Sequence, residues 1–308
     1  MSKIIDNLNA EHYQHPSDIS TMQMMKKIPL ADRFFRKINE LGIDKYYKIQ
    51  YAGSNILVTH ESYPELYKRY VNVCEILNIE KIPKLYVEIG FPNAMAVNVE
   101  EPMIIISSDC IEYMTEEEVN FILGHELGHV QCEHVLYSQI ALSLPAISSA
   151  IQATTLGLGN LITSGVQLGI MKWYRRSEYT CDRAGLLACQ NIDHAMGALA
   201  KIAGLPIRAY DNFNSDAFLK QAEAFEDITY ESSNKFVETL LVMNLSHPWT
   251  VMRAKELNKW YQSGRYQALI EGSQIIGHDK KTNTFCHECG EPIKQENAFC
   301  TSCGSKFN

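Results

Sequence analysis

The chain has 308 residues, of which 46% are hydrophobic and 21% are charged. This composition is typical of a folded globular protein with a packed core and argues against a disordered chain. The formal net charge of -8 argues against a broad surface for nucleic acid or for an anionic membrane, because both favour an excess of Lys and Arg.

The N-terminal stretch MSKIIDNLNAEHYQHPSDIS has scattered charges and no apolar run of signal-peptide length. We therefore expect a cytoplasmic protein, with membrane association as the alternative. The nine cysteines are an odd number, so they cannot all be paired within the chain. Four of them form an array described below. We expect the other five to be small buried hydrophobic residues: Cys74, Cys110, Cys132, Cys181 and Cys189.

The first part of the chain is predicted to contain a leader, two helices and a small sheet. Residues 1–30 are predicted to be a polar leader. The stretches LADRFFRKINELG and YPELYKRYVNVCEILNI have the apolar spacing of amphipathic helices. After Pro83, the runs KLYVEIG, AMAVNV and MIIISS are rich in β-branched and aromatic residues and are separated by turn residues. They predict the strands of a small antiparallel sheet.

A helix is predicted from about residue 116 to 134. Thr115 and Glu118 have the spacing of a capping box, and three successive glutamates place negative charge at the positive end of the helix dipole. Gly124 and Gly128 lie inside this helix, where each costs about 1 kcal/mol relative to Ala. Their presence indicates that something approaches the backbone of the helix closely.

The same helix carries the motif HExxH, formed by His125, Glu126 and His129. Positions i and i+4 lie on one face of a helix, so both imidazoles can bind a single zinc ion while Glu126 acts on a water beside it. The alternative is a pair of histidines on a buried helix that have hydrogen-bond partners and bind no metal. A catalytic zinc takes three protein ligands, so a third ligand is expected elsewhere in the chain.

Glu178 is the best candidate for the third ligand. It lies in RRSEYTCDRAG, a stretch predicted to be helical, and Asp182 follows it by one turn, where a carboxylate can orient a zinc-bound histidine. The alternative is an exposed Glu and Asp that pair with nearby arginines: Arg175, Arg176 and Arg183.

Between the two motifs, residues 135–171 contain no Asp, Glu, Lys or Arg. The segment is long enough for two short membrane crossings, but Gln, Asn, Ser, Thr and Gly residues interrupt its apolar run. We expect a buried or surface-lying helical hairpin, with membrane insertion as the alternative.

The sequence resembles the HtpX and CAAX prenyl protease family of zinc metallopeptidases. The resemblance rests on NAMAV at 93–97, EEEVNFILGHELGHVQCEH at 116–134, RRSEYTCDRAG at 175–185 and SHPWTVMR at 246–253. Members of the membrane type have long apolar crossings, whereas this chain has only the diluted segment 135–171, so it is more similar to a soluble or peripheral relative. Its substrate is expected to be a protein or peptide.

The resemblance implies a role for each motif residue. His125, His129 and Glu178 are expected to bind the catalytic zinc, with Glu126 as the general base and Asp182 as the residue that orients a ligand. His247 is expected to donate a hydrogen bond to the reaction intermediate, although it also fits a helix start before Pro248. Arg253 is expected to pair with a carboxylate near the zinc. The resemblance also implies that an edge strand pairs with extended substrate at Asn93, Ala94, Met95 and Ala96.

The C-terminal tail FCHECGEPIKQENAFCTSCG has two CxxC pairs separated by ten residues. This spacing is typical of a zinc ribbon, in which four thiolates hold a structural zinc, and redox dithiols are the alternative. Acidic residues outnumber lysines in the tail, which favours a protein partner over nucleic acid. The four predicted ligands are Cys286, Cys289, Cys300 and Cys303.

We therefore predict an α+β fold with two zinc ions, one catalytic and one structural. A mostly helical zincin-type metallopeptidase domain with a small antiparallel sheet is predicted over residues 31–262, followed by a linker at 263–283 and a small β zinc-ribbon module at 284–308. Two alternatives to a zinc endopeptidase are a non-catalytic zinc scaffold that works through the ribbon, and a nucleic-acid module built on the ribbon. Peripheral membrane contact through 135–171 is a further possibility.

Overall fold

The computed structural model describes residues 2–27, 40, 42–141, 167–231, 249–272, 284–285 and 292–293. The helices there are Ala10–Tyr13, Pro16–Lys26, Ile43–Ser54, Pro64–Ile76, Ser108–Tyr113, Glu116–Gln131, Gln167–Cys189, Ile192–Ile202, Ser215–Glu231, Thr250–Gln262 and Arg265–Glu271, with a 3-10 helix at Ile207–Asn212 and helical residues at 135–141. The strands are β1 Ile56–Leu57, β2 Lys84–Glu88, β3 Ala94–Val97, β4 Met103–Ser107, β5 Thr284–Phe285 and β6 Pro292–Ile293.

The main sheet is mixed, which corrects the predicted antiparallel arrangement. Its strand order is β1-β2-β4-β3. The outer pairs β1–β2 and β3–β4 are antiparallel, but β2 and β4 are parallel, with Lys84 opposite Met103 and Glu88 opposite Ser107. After β2 the chain crosses to β3, which lies on the other side of β4, and then turns back to form β4 between them. β2 and β4 therefore run in the same direction. All five residues of β4 are buried, as expected for a central strand.

The prediction of a polar leader is wrong for residues 2–27. Two helices form there, and each begins with a side-chain cap, Asn9 and His15 respectively. Leu8 and Tyr13 belong to the main hydrophobic core, and Met25 packs in a smaller cluster around Trp173. The prediction failed because four polar residues of this segment are buried and hydrogen-bonded, which a count of polar residues does not reveal: His15, Ser17, Asp18 and Thr21.

The helix Glu116–Gln131, called the motif helix here, starts as predicted. The backbone N–H of Thr115 donates to Glu118 (2.7 Å), and the backbone N–H of Glu118 donates to the Thr115 hydroxyl (3.3 Å). It ends at Gln131, three residues earlier than predicted. Glu133 adopts a left-handed conformation with φ 57°, and the N–H of His134 donates to the carbonyl of His129 (2.8 Å). This turn satisfies a carbonyl at the helix end and starts the chain in a new direction.

The two glycines of the motif helix allow it to contact the helix Gln167–Cys189, called the glutamate helix here. A Cβ atom on Gly124 would lie 2.3 Å from the Cβ of Ala188, and one on Gly128 would lie 2.8 Å from the Cβ of Ala184. No side chain fits at such distances, so the backbones meet directly. The close approach inferred from the sequence is therefore the approach of a second helix.

We expect Gly124→Ala to lower the free energy of unfolding by about 1–3 kcal/mol, because the added methyl group must displace the glutamate helix. Gly53→Ala is the matched control, since Gly53 lies in a helix with nothing within 4 Å of an added Cβ. The control should be neutral or stabilise by up to about 1 kcal/mol. Chemical denaturation of both variants measures the difference, and equal stabilities would contradict close packing at Gly124.

The linker is predicted to start at residue 263, but the helix Arg265–Glu271 occupies its first part. Tyr266 and Leu269 are buried in the main core, so the packed part of the chain extends at least to this helix. Further along, β5 and β6 pair as an antiparallel hairpin, with Thr284 opposite Ile293. The rest of the linker and the four ribbon cysteines lie outside the described residues.

Two other predicted segments fall partly or wholly outside the described residues. The helix predicted for LADRFFRKINELG is one of them, and most of the uncharged segment 135–171 is the other; its two ends, 135–141 and 167–171, are helical. In the part of the chain that the structure describes, no helix has both the length and the apolar character needed to cross a membrane.

Candidate active site

The motif helix directs His125, Glu126 and His129 into the interior, where all three are buried. The ring of His125 contacts Asp182 on the glutamate helix, with 3.0 Å between Nδ1 and a carboxylate oxygen. An ionised carboxylate only accepts hydrogen bonds, so Nδ1 carries the proton and donates it. The Nε2 atom of His125 is then left as the nitrogen that can bind a metal ion.

Glu178 lies opposite both histidines. Its carboxylate oxygens are 3.5 Å from Nε2 of His125 and 3.3 Å from Nε2 of His129. Ligand atoms about 2.0–2.1 Å from a tetrahedral zinc ion lie roughly 3.3–3.4 Å from each other. Two imidazoles and one carboxylate at these separations fit a catalytic zinc site, whose fourth position is open to water or substrate.

The alternative of exposed acidic side chains is excluded, because Glu178 and Asp182 are each only 1% exposed. Arg253, from the helix Thr250–Gln262, lies between them. Its Nε donates to Asp182 (2.9 Å), and its Nη1 lies 3.3 Å from Glu178. The buried guanidinium compensates two buried carboxylates, which would otherwise be costly to desolvate. The structure therefore places Arg253 against the carboxylates that surround the histidines.

Charges within the site keep both carboxylates ionised. Burial alone would raise the pKa of Glu178, but His125 and Arg253 together hold it well below its usual value. Burial likewise opposes the ionisation of Asp182, and Arg253 and His125 lower its pKa overall. Burial lowers the pKa of His129 to about 4, which keeps this imidazole neutral, as a metal ligand must be.

The pKa of His125 moves in the other direction. Burial lowers it, but Glu178 and Asp182 raise it more strongly, to about 9. The proton that His125 gains in this setting is held mainly by the negative charge of Glu178. A cation placed between the same groups would displace that proton, because metal binding and protonation compete for the same nitrogen.

Tyr174 is a residue that the sequence analysis missed. It lies one helical turn before Glu178 on the same helix, and its buried ring stacks on the imidazole of His129 with 6.5 Å between ring centroids. Burial raises the pKa of its phenol well above the usual value, and the negative charges of Glu178 and Glu126 add to the effect. The spacing of four residues before Glu178 is the signal that could have identified it.

A buried polar network ties the N-terminal segment to the back of the site. Asp18 accepts hydrogen bonds from Trp173 Nε1 (2.9 Å) and from the Thr180 hydroxyl (2.7 Å), and it lies 3.1 Å from Nε2 of His134. Burial would raise the pKa of Asp18, but these partners lower it overall. The ring of His134 in turn packs edge-on against His129, with 5.4 Å between centroids.

Cys181 also lies near the two motif histidines, and the three donor atoms are within 4.8 Å of one another. Its sulfur is 3.7 Å from Nδ1 of His134 and packs against Gly128. Burial raises the pKa of this thiol well above its usual value, whereas a zinc ligand must be a thiolate. Glu178 is already ionised and faces both Nε2 atoms, so it is the better third ligand. All five non-ribbon cysteines are free, and all except the partly exposed Cys132 are buried, as expected.

The strand β3 lies at an edge of the main sheet, beside the motif helix. The carbonyl of Asn93 accepts a hydrogen bond from the N–H of Ser107 on β4 (2.9 Å). Hydrogen-bonded and non-hydrogen-bonded positions alternate along antiparallel strands. The backbone groups of Ala94 and Ala96 therefore point away from β4, towards the open side of the strand. Met95 instead faces β4 with its backbone, opposite Ile105.

One predicted site residue, His247, lies outside the described residues, as do the ribbon cysteines. Most of the others lie on three helices that meet at the histidines: the motif helix, the glutamate helix and the helix Thr250–Gln262. The remaining ones are on β3 and at Asn93 just before it, and β3 packs beside the motif helix. Two imidazoles and a carboxylate converge, with a second glutamate beside them, inside a mostly helical fold with a small sheet. These features define the class of HExxH metallopeptidases.

Comparison with known families agrees with this class. Residues 73–261 match the model of peptidase family M48, and residues 285–307 match that of a zinc-ribbon domain. The chain belongs to peptidase family M48 and carries a zinc ribbon at its C-terminal end. It is therefore a metallopeptidase, and zinc is the metal that both parts imply.

Three relatives illustrate the range of similarity. The plastoglobule-localized metallopeptidase 48, chloroplastic, of Arabidopsis thaliana is 30% identical over 271 residues, which are 87% of this chain and 77% of that protein. A protease HtpX homolog of Halobacterium salinarum is 22% identical, over 52% of this chain and 61% of its own. The protease HtpX homolog 2 of Methanosarcina mazei is 23% identical, over 50% and 60%. No solved structure matches the chain.

Proposed function

We propose that the chain hydrolyses peptide bonds within protein or peptide substrates, with Glu126 as the general base. The observation that carries the proposal is the convergence of His125, His129 and Glu178 at the separations expected for ligands of one zinc ion. When bound there, zinc acts as a Lewis acid that makes water more acidic and polarises a carbonyl group. Glu126 directly follows His125 on the motif helix, and both side chains are buried.

The other residues hold or position groups around the reaction. Glu126 takes the proton of the attacking water and passes it to the leaving amine. Asp182 fixes the tautomer of His125 through the 3.0 Å contact with Nδ1, and Arg253 holds Asp182 and Glu178 in place. Ala94 and Ala96 offer outward-pointing backbone groups to an extended substrate. We retain His247 as the proposed hydrogen-bond donor to the reaction intermediate.

The non-catalytic scaffold is the weaker alternative. A scaffold has no need to bury Glu178 and Asp182 against two imidazoles, since burying two ionised carboxylates is costly even with Arg253 beside them. Nothing in the described residues favours the scaffold specifically. The nucleic-acid alternative conflicts with the net charge of -8. A protein partner for the ribbon, rather than nucleic acid, remains our proposal.

Localisation remains a prediction, cytoplasmic with membrane association as the alternative. The name of the Arabidopsis relative refers to the plastoglobule, and this is why we retain membrane association as the alternative. Separation of cell extracts into soluble and carbonate-washed membrane fractions would decide between them.

We expect the full chain to hold two zinc ions of different character. The ribbon site is closed by four thiolates, whereas the catalytic site has an open position and should lose its ion first to a mild chelator. Casein cleavage should stop when that ion is removed and return when zinc is added. Elemental analysis of the parent should give two zinc ions per chain.

The matched variant is Cys286→Ser with Cys289→Ser, which removes two ribbon ligands and leaves the catalytic site intact. This variant should keep one zinc ion and lose its casein cleavage on mild chelation, like the parent. A variant that held no zinc would show that the ribbon is the only zinc site, and the catalytic assignment would then be wrong.

A further inference from the structure

A cavity of about 320 Å³ lies beside the start of β3, outside the groups that surround the motif histidines. Its walls come from Pro92, from Tyr113 and Met114, and from the stretch Leu205–Arg208. Most of these side chains are apolar. The volume is near the lower end of the range of about 300–1,000 Å³ for sites that hold small ligands, so the cavity suits one or two side chains of a polypeptide.

The turn that leads into this cavity exposes two large apolar side chains. Ile89 is 96% exposed and Phe91 is 87% exposed, and Pro92 follows them directly in the cavity wall. Single exposed apolar residues are ordinary, but here two of them lie two residues apart in the turn that leads to the wall of an apolar cavity. Exposed apolar side chains grouped in this way are typical of a surface that binds another molecule.

The cavity lies at the N-terminal end of β3, because Pro92 in its wall comes just before the strand. Asn93 follows Pro92, and its carbonyl accepts a hydrogen bond from the Cys110 thiol (3.5 Å). A polypeptide paired with the open side of β3 at Ala96 and Ala94 would therefore continue towards the cavity.

Two cationic side chains border the cavity, Lys201 and Arg208, and they differ in whether an acidic residue pairs with them. The Lys201 ammonium lies 2.6 Å from Glu118 and over the ring of Tyr210, so its charge is already compensated. Arg208 is exposed, and no residue in the described ranges forms a salt bridge with it. Its guanidinium is available to an anionic group of a bound molecule.

We propose that this cavity and the Ile89–Pro92 turn form a docking site for an extended apolar segment of a polypeptide substrate, with Arg208 contacting an acidic side chain of that segment. The proposal rests on the proposed peptidase function and adds a substrate class, namely unfolded polypeptide with exposed apolar residues. Docking continues the strand pairing along β3 and takes no part in breaking the bond. Its contacts are therefore the same in the bound substrate and in the transition state, and they contribute equally to the binding of both.

The test uses a protein that cannot cleave, so that binding is measured directly. We would measure the affinity of the full-length, zinc-loaded Glu126→Gln variant for fluorescently labelled β-casein by anisotropy. Adding Ile89→Ser with Phe91→Ser should weaken the affinity by about tenfold or more, because two apolar contacts are lost. Adding Arg208→Glu should weaken it as well, through repulsion of acidic groups. Met24→Ser is the matched control, because Met24 is an exposed apolar residue on the helix Pro16–Lys26, which packs mainly against the glutamate helix, and the change should leave the affinity unaltered.

In the cleaving parent, the same substitutions should raise KM for casein with kcat unchanged, as expected for a contact that does not change during the reaction. Unchanged affinity in both docking variants, or an equal loss in the Met24 control, would overturn the proposal. A third outcome would also overturn it. If the parent sedimented with phosphatidylcholine vesicles, and Ile89→Ser with Phe91→Ser abolished this while casein affinity stayed the same, the turn would bind a lipid surface instead. Because the binding assay needs no cleavage, failure of docking is distinct from failure of the peptidase assignment.

Discussion

Glu126→Gln is expected to lower casein cleavage by about 10²- to 10⁴-fold while both zinc ions stay bound. The amide keeps the size and position of the side chain but cannot accept the proton of the attacking water. It removes no proposed metal ligand, since His125, His129 and Glu178 are unchanged. The measurements are the initial rate of casein cleavage and the zinc content of the purified variant.

Glu117→Gln is the matched control for this variant. Glu117 lies on the same helix, in its first turn, where its side chain is exposed and distant from the histidines. The control should retain the parent's rate. Full activity in the Glu126 variant would end the assignment of a zinc peptidase with a glutamate base, whereas loss of zinc from it would indicate that Glu126 supports the metal rather than the proton transfer.

Glu178→Gln is expected to abolish cleavage and also to lose the catalytic zinc, leaving the ribbon zinc in place. A neutral amide is a poor zinc ligand, and two imidazoles alone hold zinc weakly. The change also removes one of the two negative charges around the buried Arg253. Breaking a buried ion pair typically costs about 3–5 kcal/mol, so a lower thermal midpoint is expected as well.

The contrast between the two glutamate variants separates the base from the ligand. Zinc content and circular dichroism of the Glu178 variant should be measured beside the Glu126 variant, so that loss of metal is not confused with loss of folding. Retention of both zinc ions by a folded Glu178→Gln variant would move the third ligand elsewhere. Asp182 and Cys181 are then the nearest candidates on the same helix.

Some features of the site follow from local sequence alone. His125 and His129 lie four residues apart, and any α-helix places such residues on one face. The helix itself is specified locally, because Thr115 and Glu118 cap it in the way their spacing predicts. The spacing of Glu178 and Asp182 likewise places both on one face of their helix. These features depend on contacts between residues only three or four positions apart, which is why the sequence reveals them.

The sequence also showed that Gly124 and Gly128 must face a close neighbour, but it did not identify that neighbour. The two glycines meet Ala188 and Ala184 on a helix that begins 36 residues after the motif helix ends, from Gln131 to Gln167. The small residues on both helices are complementary only once the helices are packed together. Their contact brings Glu178 opposite the histidines, and no local spacing determines that distance.

Tertiary structure alone decided the remaining features. The direction of β2 relative to β4 depends on the path of the chain between them, which strand propensity does not specify. The N-terminal segment reads as polar, yet Asp18 is buried because Trp173, Thr180 and His134 satisfy it from more than 100 residues away. The sequence by itself determined which groups could bind zinc and which elements carry them. Whether those groups meet depends on packing between distant segments, because a buried charge or a close helix contact is stable only when its partner is already in place.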